Sequence, residues 1–218
     1  MPGKIRSVIR GSVLLTGVLI LVPAARAQQQ PAQQQQPAAE KFHVSSTDVA
    51  VTYDLVRAKI ATVNGNGFWL NGGSVEGVVN FQRGLSVVAN LTGERASNIA
   101  PGVGLSKILY LFGPRYSYST TRWTSPSVKK HGAEVFGEFL LGGAHGFDST
   151  FPAAGGATSS ASSIAMQMGG GLDVALARGF GLRALELDYV RTTLPNNASN
   201  SQNDFRIAFG VTYRFKKR

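Results

Sequence analysis

From Thr47 to Phe215 large apolar residues recur at every second position, the pattern of strands with one apolar face. The run 204–215 is the cleanest. Phe205, Ile207, Phe209, Val211, Tyr213 and Phe215 fall on one face, and Asp204, Arg206, Ala208, Gly210, Thr212 and Arg214 on the other. In 181–193, Leu185, Leu187 and Tyr189 oppose Ala184, Glu186 and Asp188; in 163–177, Ile164, Met166, Met168, Leu172, Val174 and Leu176 oppose Ala165, Gln167, Gly169, Gly171, Asp173 and Ala175. Five earlier segments agree. Their apolar faces are Val49, Val51, Tyr53 and Leu55; Val75, Gly77, Val79 and Phe81; Leu85, Val87, Ala89 and Leu91; Phe112, Pro114, Tyr116 and Tyr118; and Val135, Gly137, Phe139 and Leu141. In the last of these Phe136 and Leu140 interrupt the polar face, and Pro114 predicts a local bulge because proline has no N–H for a ladder. The pattern predicts eight strands, most of them near the ~9–11 residues that a tilted membrane strand requires.

The connections alternate as well. Long ones are expected at 58–73, 93–105, 143–162 and 194–203, rich in Gly, Ser, Asn and Ala. Gln82-Arg83-Gly84 and Arg178-Gly179-Phe180 read as tight turns, and the segment around Arg122 to Val128 as a longer one. Long loops at one rim and short turns at the other belong to an up-and-down antiparallel barrel in an outer membrane.

The N-terminus reads as an address. Lys4, Arg6 and Arg10 precede the apolar stretch Val13 to Val22, and Ala25-Arg26-Ala27 is a small-x-small cleavage site, so residues 1–27 read as a secretory signal. Residues 28–39 hold seven glutamines and two prolines, a composition that builds no core, and 28–46 is expected to be a disordered tether. Residues 47–215 are the barrel and Lys216-Lys217-Arg218 a basic tail. Removing the signal lowers the formal charge from +10 to +6, since Lys4, Arg6, Arg10 and Arg26 leave with it.

Parity does not say which face meets lipid, because a lipocalin-like soluble barrel buries its apolar face around a ligand. Three features favour an apolar exterior. The polar faces are rich in Gly and Ala, which suits the crowded interior of an eight-stranded barrel. Eight of the twelve acids lie on them (Asp54, Glu76, Glu134, Glu138, Asp173, Glu186, Asp188 and Asp204), with Arg115, Arg206 and Arg214 to pair with, while Lys107 is the sole lysine of the eight spans, at a strand end. Aromatic residues gather near strand ends: Phe81, Tyr116, Tyr118, Tyr213 and Phe215 toward the short turns, Tyr189 and Phe205 toward the long loops, as girdles do at lipid headgroups.

Residues 47–215 resemble the outer-membrane β-barrels of the OmpA transmembrane-domain and OmpX type. The resemblance is carried by Tyr110 to Tyr118 (YLFGPRYSY), Phe139 to His145 (FLLGGAH), Gly169 to Asp173 (GGGLD), Asp188-Tyr189 and Asn203 to Arg206 (NDFR). Gly210 to Phe215 (GVTYRF), with Val211, Tyr213 and Phe215 at alternate positions, is similar to the signal that barrel-assembly machinery reads, although Lys216-Lys217-Arg218 follow the terminal Phe. These motifs are structural.

Candidate chemistry is sparse. His43, His131 and His145 are scattered, and His145 shares one glycine-rich loop with Asp148 and Ser149, the residue types of a hydrolytic triad without a rigid support. Glu134 and Glu138 share a strand face and are expected in a lumen network with Arg115, Arg206 and Arg214. Without cysteine there is no thiolate site, no His/Asp/Glu group has metal-ligand spacing, and Gly102-Val-Gly104 is too short to cradle phosphate. Neither catalysis nor a cofactor is expected. The basic residues Arg83, Arg122, Lys129, Lys130, Lys216, Lys217 and Arg218 form no patch interleaved with aromatics, which argues against nucleic acid and suits anionic headgroups or lipopolysaccharide phosphate. The expected role is envelope structure or surface interaction through the long loops, with Phe68 and Trp69 as contact candidates or girdle residues. A narrow cation-selective channel and a soluble periplasmic lipocalin-like binder are the alternatives.

Overall fold

The computed structural model describes residues 44–59, 67–100, 102–119, 132–196 and 200–216. Ten strands account for most of them: β1 (Ser46–Lys59), β2 (Gly67–Asn80), β3 (Leu85–Ala100), β4 (Val103–Ser119), β5 (Ala133–Phe147), β6 (Phe151–Ala153), β7 (Gly156–Thr158), β8 (Ala161–Ala175), β9 (Phe180–Thr192) and β10 (Gln202–Lys216). Eight close into one barrel in the order β1-β10-β9-β8-β5-β4-β3-β2, every pair antiparallel. β6 and β7 form a separate two-stranded hairpin. Closure of β1 on β10 removes both sheet edges, so no ladder is left to be solvated.

Following directly paired residues once around the barrel runs Ser46, Asn80, Ser86, Arg115, Glu138, Gly169, Asp188, Arg206 and back to Val56. The row therefore climbs ten residues per circuit, which fixes the stagger and makes the strands tilt.

The eight barrel strands are 13 to 17 residues long, longer than their apolar patterning predicts. They rise past the apolar belt into the expected loops. The 93–105 loop is instead strand, with Ala100 pairing Val103 across the connection, because Gly93, Glu94 and Arg95 keep the alternation with a polar inward residue. The expected 58–73 loop shrinks to residues 60–66, which lie outside the described residues, and Phe68 and Trp69 belong to β2. The 143–162 loop begins only after Phe147 and contains the β6–β7 hairpin; the 194–203 connection runs from 193 to 201. The signal, most of the tether and the segment around Arg122 to Val128 also lie outside the described residues.

At the opposite rim two connections are tight, each with consecutive positive φ: Arg83 and Gly84 at 64° and 80°, Arg178 and Gly179 at 54° and 91°. Two such residues give the turn twist that matches paired strands, and glycine bears the larger angle each time. Pro114 makes no bulge. Its pairing with Val87 is in register, and the β4–β5 register is the same on both sides of it. The bulge is in β9, where Leu185 pairs Leu172 and Arg183 pairs Asp173, leaving Ala184 extra.

Inside and outside are inverted relative to a water-soluble protein. Among the described residues twenty-six large apolar side chains are exposed, twenty-five of them on the eight barrel strands. Phe205, Phe209, Val211, Phe215, Leu185, Leu187 and Tyr189 are among them; Ile207 and Tyr213 point the same way, half-buried by neighbours. At the short-turn rim Phe180, Tyr213 and Phe215 pack edge to face, 4.8 Å and 4.6 Å between centroids. The inward face is not uniformly polar. Val78, Val88, Leu109, Leu111, Leu140, Ala144, Ala165 and Val190 form one buried apolar cluster, and Val56, Ala58, Leu70 and Ala96, with Phe68 packed against them, another.

Candidate functional site: a tiered lumen network

Inward positions on a tilted barrel converge, so charges widely spaced in sequence meet. The central tier holds three arginines. Arg115 of β4 contacts Glu138 and lies 2.7 Å from Glu76. Arg183 of β9 reaches Glu76 at 3.0 Å, Asp173 at 2.9 Å and Glu186 at 2.8 Å. Arg206 of β10 contacts Glu186 and lies 2.7 Å from Asp188 and 3.3 Å from Asp54. Shared carboxylates make this one network: Glu76 joins Arg115 to Arg183, and Glu186 joins Arg183 to Arg206. Thr52 donates to Asp54 at 2.6 Å and Gln167 to Glu138 at 3.0 Å. Apart from the half-buried Asp173, every charged group in the tier is at most 5% exposed.

Phe136 is the tier's apolar partner. Arg115 Cζ lies 4.0 Å and Arg183 Cζ 4.7 Å from its ring centroid, within cation–π range. Gly171 is paired with Phe136, and a methyl there would lie 2.7 Å from Phe136 Cζ, so only glycine leaves room for the ring.

Two smaller tiers flank it. Toward the short turns, Arg214 contacts Asp48 at 2.7 Å and Glu134 at 3.2 Å, beside an open cavity of about 310 Å³. Toward the long loops, Lys107 bridges Glu94 at 3.1 Å and Asp204 at 2.8 Å, linking β3 and β4 to β10. Above it Phe151 of the hairpin and Leu194 are both buried, and both would touch a methyl placed on Gly146.

Every acid and arginine assigned to the lumen from the sequence points inward. They do not form the single group expected, since Glu134 goes with Arg214 and Glu138 with Arg115. Four lumen charges were missed, one of them Asp48, the β1 partner of Arg214 on the polar parity of Asp54. Lys107 is not at a strand end, because β4 starts at Val103, and it lies inside at 3% exposed. Glu94 was assigned to a loop. Arg183 shares the parity of Leu185, but the Ala184 bulge turns it inward. The signal for it is visible: outward apolar residues fall at Phe180, Leu182, Leu185, Leu187 and Tyr189, with one step of three among steps of two.

The residue types of a triad near His145 are not brought together. His145 Nδ1 is 2.8 Å from Ser162 Oγ, while Asp148 accepts a hydrogen bond from Ser106 at 3.0 Å. His43 and His131 lie outside the described residues. Glu76, Glu138 and Glu186 approach closely enough to suggest a metal cluster, but Arg115, Arg183 and Arg206 already occupy their carboxylates.

No family model matches the chain, and no curated protein does. Solved structures do. Ail, the attachment invasion locus protein of Yersinia pestis, is 16% identical over 79% of this chain and all of its own, with a TM-score of 0.51, both alone and in complex with the heparin analogue sucrose octasulfate. Neisserial surface protein A is 15% identical over 78% of this chain and 97% of its own, with a TM-score of 0.55. The fold is that of the eight-stranded outer-membrane barrels. At this identity the likeness is one of architecture: strand number, closure and topology agree, while the lumen side chains described above are this chain's own.

Proposed function

We propose that the chain is an integral outer-membrane barrel, exported by the signal at 1–27 and joined to the tether 28–46. Its lumen is closed to free diffusion, and its role is structural or surface-interacting, exercised by the connections at the long-loop rim. It is not a catalyst. The observation that carries this is the inversion of polarity. Charged side chains such as Arg183, Glu186 and Arg206 are 1–2% exposed, while apolar ones on the same strands, such as Leu185 and Phe205, are 43–46% exposed. An apolar belt of that extent matches a hydrocarbon solvent, and a closed barrel satisfies its backbone there. Val211, Tyr213 and Phe215 on the last strand fit recognition by barrel-assembly machinery.

Three features support a closed lumen. The Arg–Phe136 tier and the apolar cluster cross it, and Phe151 and Leu194 sit over its outer end. A narrow cation-selective channel is the second reading, favoured by the excess of buried carboxylates (Asp54, Glu76, Glu94, Glu138, Glu186, Asp188 and Asp204) over buried cations (Lys107, Arg115, Arg183 and Arg206). Planar-bilayer recording separates the two. The closed reading expects no current steps above the bare bilayer. Cation-selective steps that change when Phe136 is replaced by alanine would establish the channel instead.

A further inference from the structure

The acids of the barrel strands all face the lumen or its rim; among the described strand residues none lies on the outer face. Among the described side chains, the charges that do lie on that face toward the long loops are arginines: Arg57 on β1, Arg95 on β3 and Arg191 on β9, all exposed. Among the described strand residues no carboxylate shares the outer face with them.

Their placement is ordered. Tyr189, Phe205, Arg57 and Trp69 are paired in one row across β9, β10, β1 and β2. Arg191 lies two residues nearer the long-loop rim than Tyr189. Arg95, paired with Asn71, lies two residues farther from that rim than Trp69. Rows climb toward the long-loop rim by ten residues per circuit of eight strands, about two and a half residues for every two strands crossed. The two-residue offsets cancel that climb. All three arginines therefore stand at one height to within about half a residue, on alternate strands with backbones roughly 10 Å apart.

Between them sit groups suited to a headgroup layer. The Arg57 guanidinium lies 5.3 Å from the Trp69 ring centroid, Tyr189 donates to Asn203 at 2.6 Å and Tyr53 to Asn71 at 3.3 Å. Of the remaining strands, β4 and β8 present the exposed Ile108 and Ile164 near that end, and β5, between them, the half-buried His145. The basic face is thus one-sided, about half the circumference.

We propose that Arg57, Arg95 and Arg191 form a binding site for the phosphate groups of a multiply phosphorylated lipid in the leaflet at the long-loop rim. Guanidinium groups bind phosphate through paired hydrogen bonds, and an interfacial ring of aromatic and amide groups holds the sugar or glycerol to which phosphate is attached. The spacing suits a headgroup with two phosphates better than one with a single phosphate. The inference rests on the membrane-spanning reading.

The test is native mass spectrometry of the detergent-solubilised mature chain, first checked for a heat-dependent gel shift, titrated with diphosphoryl lipid A and with its dephosphorylated counterpart. Wild type is expected to prefer the phosphorylated lipid at least tenfold. R57Q/R95Q/R191Q, whose changes are on the exposed surface, keeps the gel shift and loses the preference, and R178Q at the other rim keeps both. Equal binding of the two lipids by wild type, an unchanged preference in the triple variant, or displacement of the lipid by millimolar inorganic phosphate would each overturn the site. Absence of the gel shift in wild type would instead remove the membrane-spanning reading on which it stands.

Discussion

Arg206 shows what one residue contributes. It touches carboxylates from β1 and β9 at 1% exposure, so its removal strands Asp54, Glu186 and Asp188 with one cation fewer in a region water does not reach. Removing one partner of a buried ion pair costs about 3–5 kcal/mol, chiefly through the charge left behind. Arg206→Ala is therefore expected to lower the urea midpoint of the bilayer-reconstituted barrel substantially, while Ser149→Ala in the 148–150 segment leaves it within error. Equal midpoints would mean that the central tier does not hold the barrel together. The sequence made Arg206 legible because its strand alternates without exception from Asp204 to Phe215. It did not make its partners legible. Parity says that a side chain points inward, whereas pairing depends on the ten-residue stagger, which no single strand encodes.

At the scale of the element, β9 is the informative strand. Its bulge at Ala184 lets Arg183 enter the lumen while Leu182 and Leu185 both face out. Strict alternation back from Leu185 would turn Arg183 outward into the apolar belt, at a cost that reaches roughly 2–4 kcal/mol at the midplane and falls toward the rim, and would also leave Glu76 and Asp173 with fewer partners. Deleting Ala184 removes the extra residue and, counted back from Leu185, leaves Arg183 facing the lumen and Leu182 facing out. The deletion variant is therefore expected to keep the heat-dependent mobility shift in an expression test, as Ala184→Ser does; its loss would show that the extra residue itself is required for folding. The same element explains why Arg183 escaped a period-2 reading. Glu94 and Lys107 escaped for a different reason: β3 and β4 continue beyond the apolar belt, where outward residues such as Arg95 no longer mark a strand by hydrophobicity. Strand ends above the lipid level are paired by backbone hydrogen bonds alone, and those leave little trace in composition.

For the whole molecule, the number of strands, their antiparallel order, the apolar exterior and the short-turn rim were all readable, because in lipid every one of these is imposed on each strand separately. The tiers of the lumen were not, since they depend on contacts between residues as far apart as Asp54 and Arg206. All of these features require that the apolar belt face lipid around a closed polar and apolar lumen. Membrane fractionation followed by gel electrophoresis of boiled and unboiled samples tests it most directly. The account predicts a protein that leaves the membrane fraction only in detergent and migrates differently until it is boiled. A monomer released into the soluble fraction, with one mobility before and after boiling, would contradict it and turn the exposed belt into a surface needing another partner.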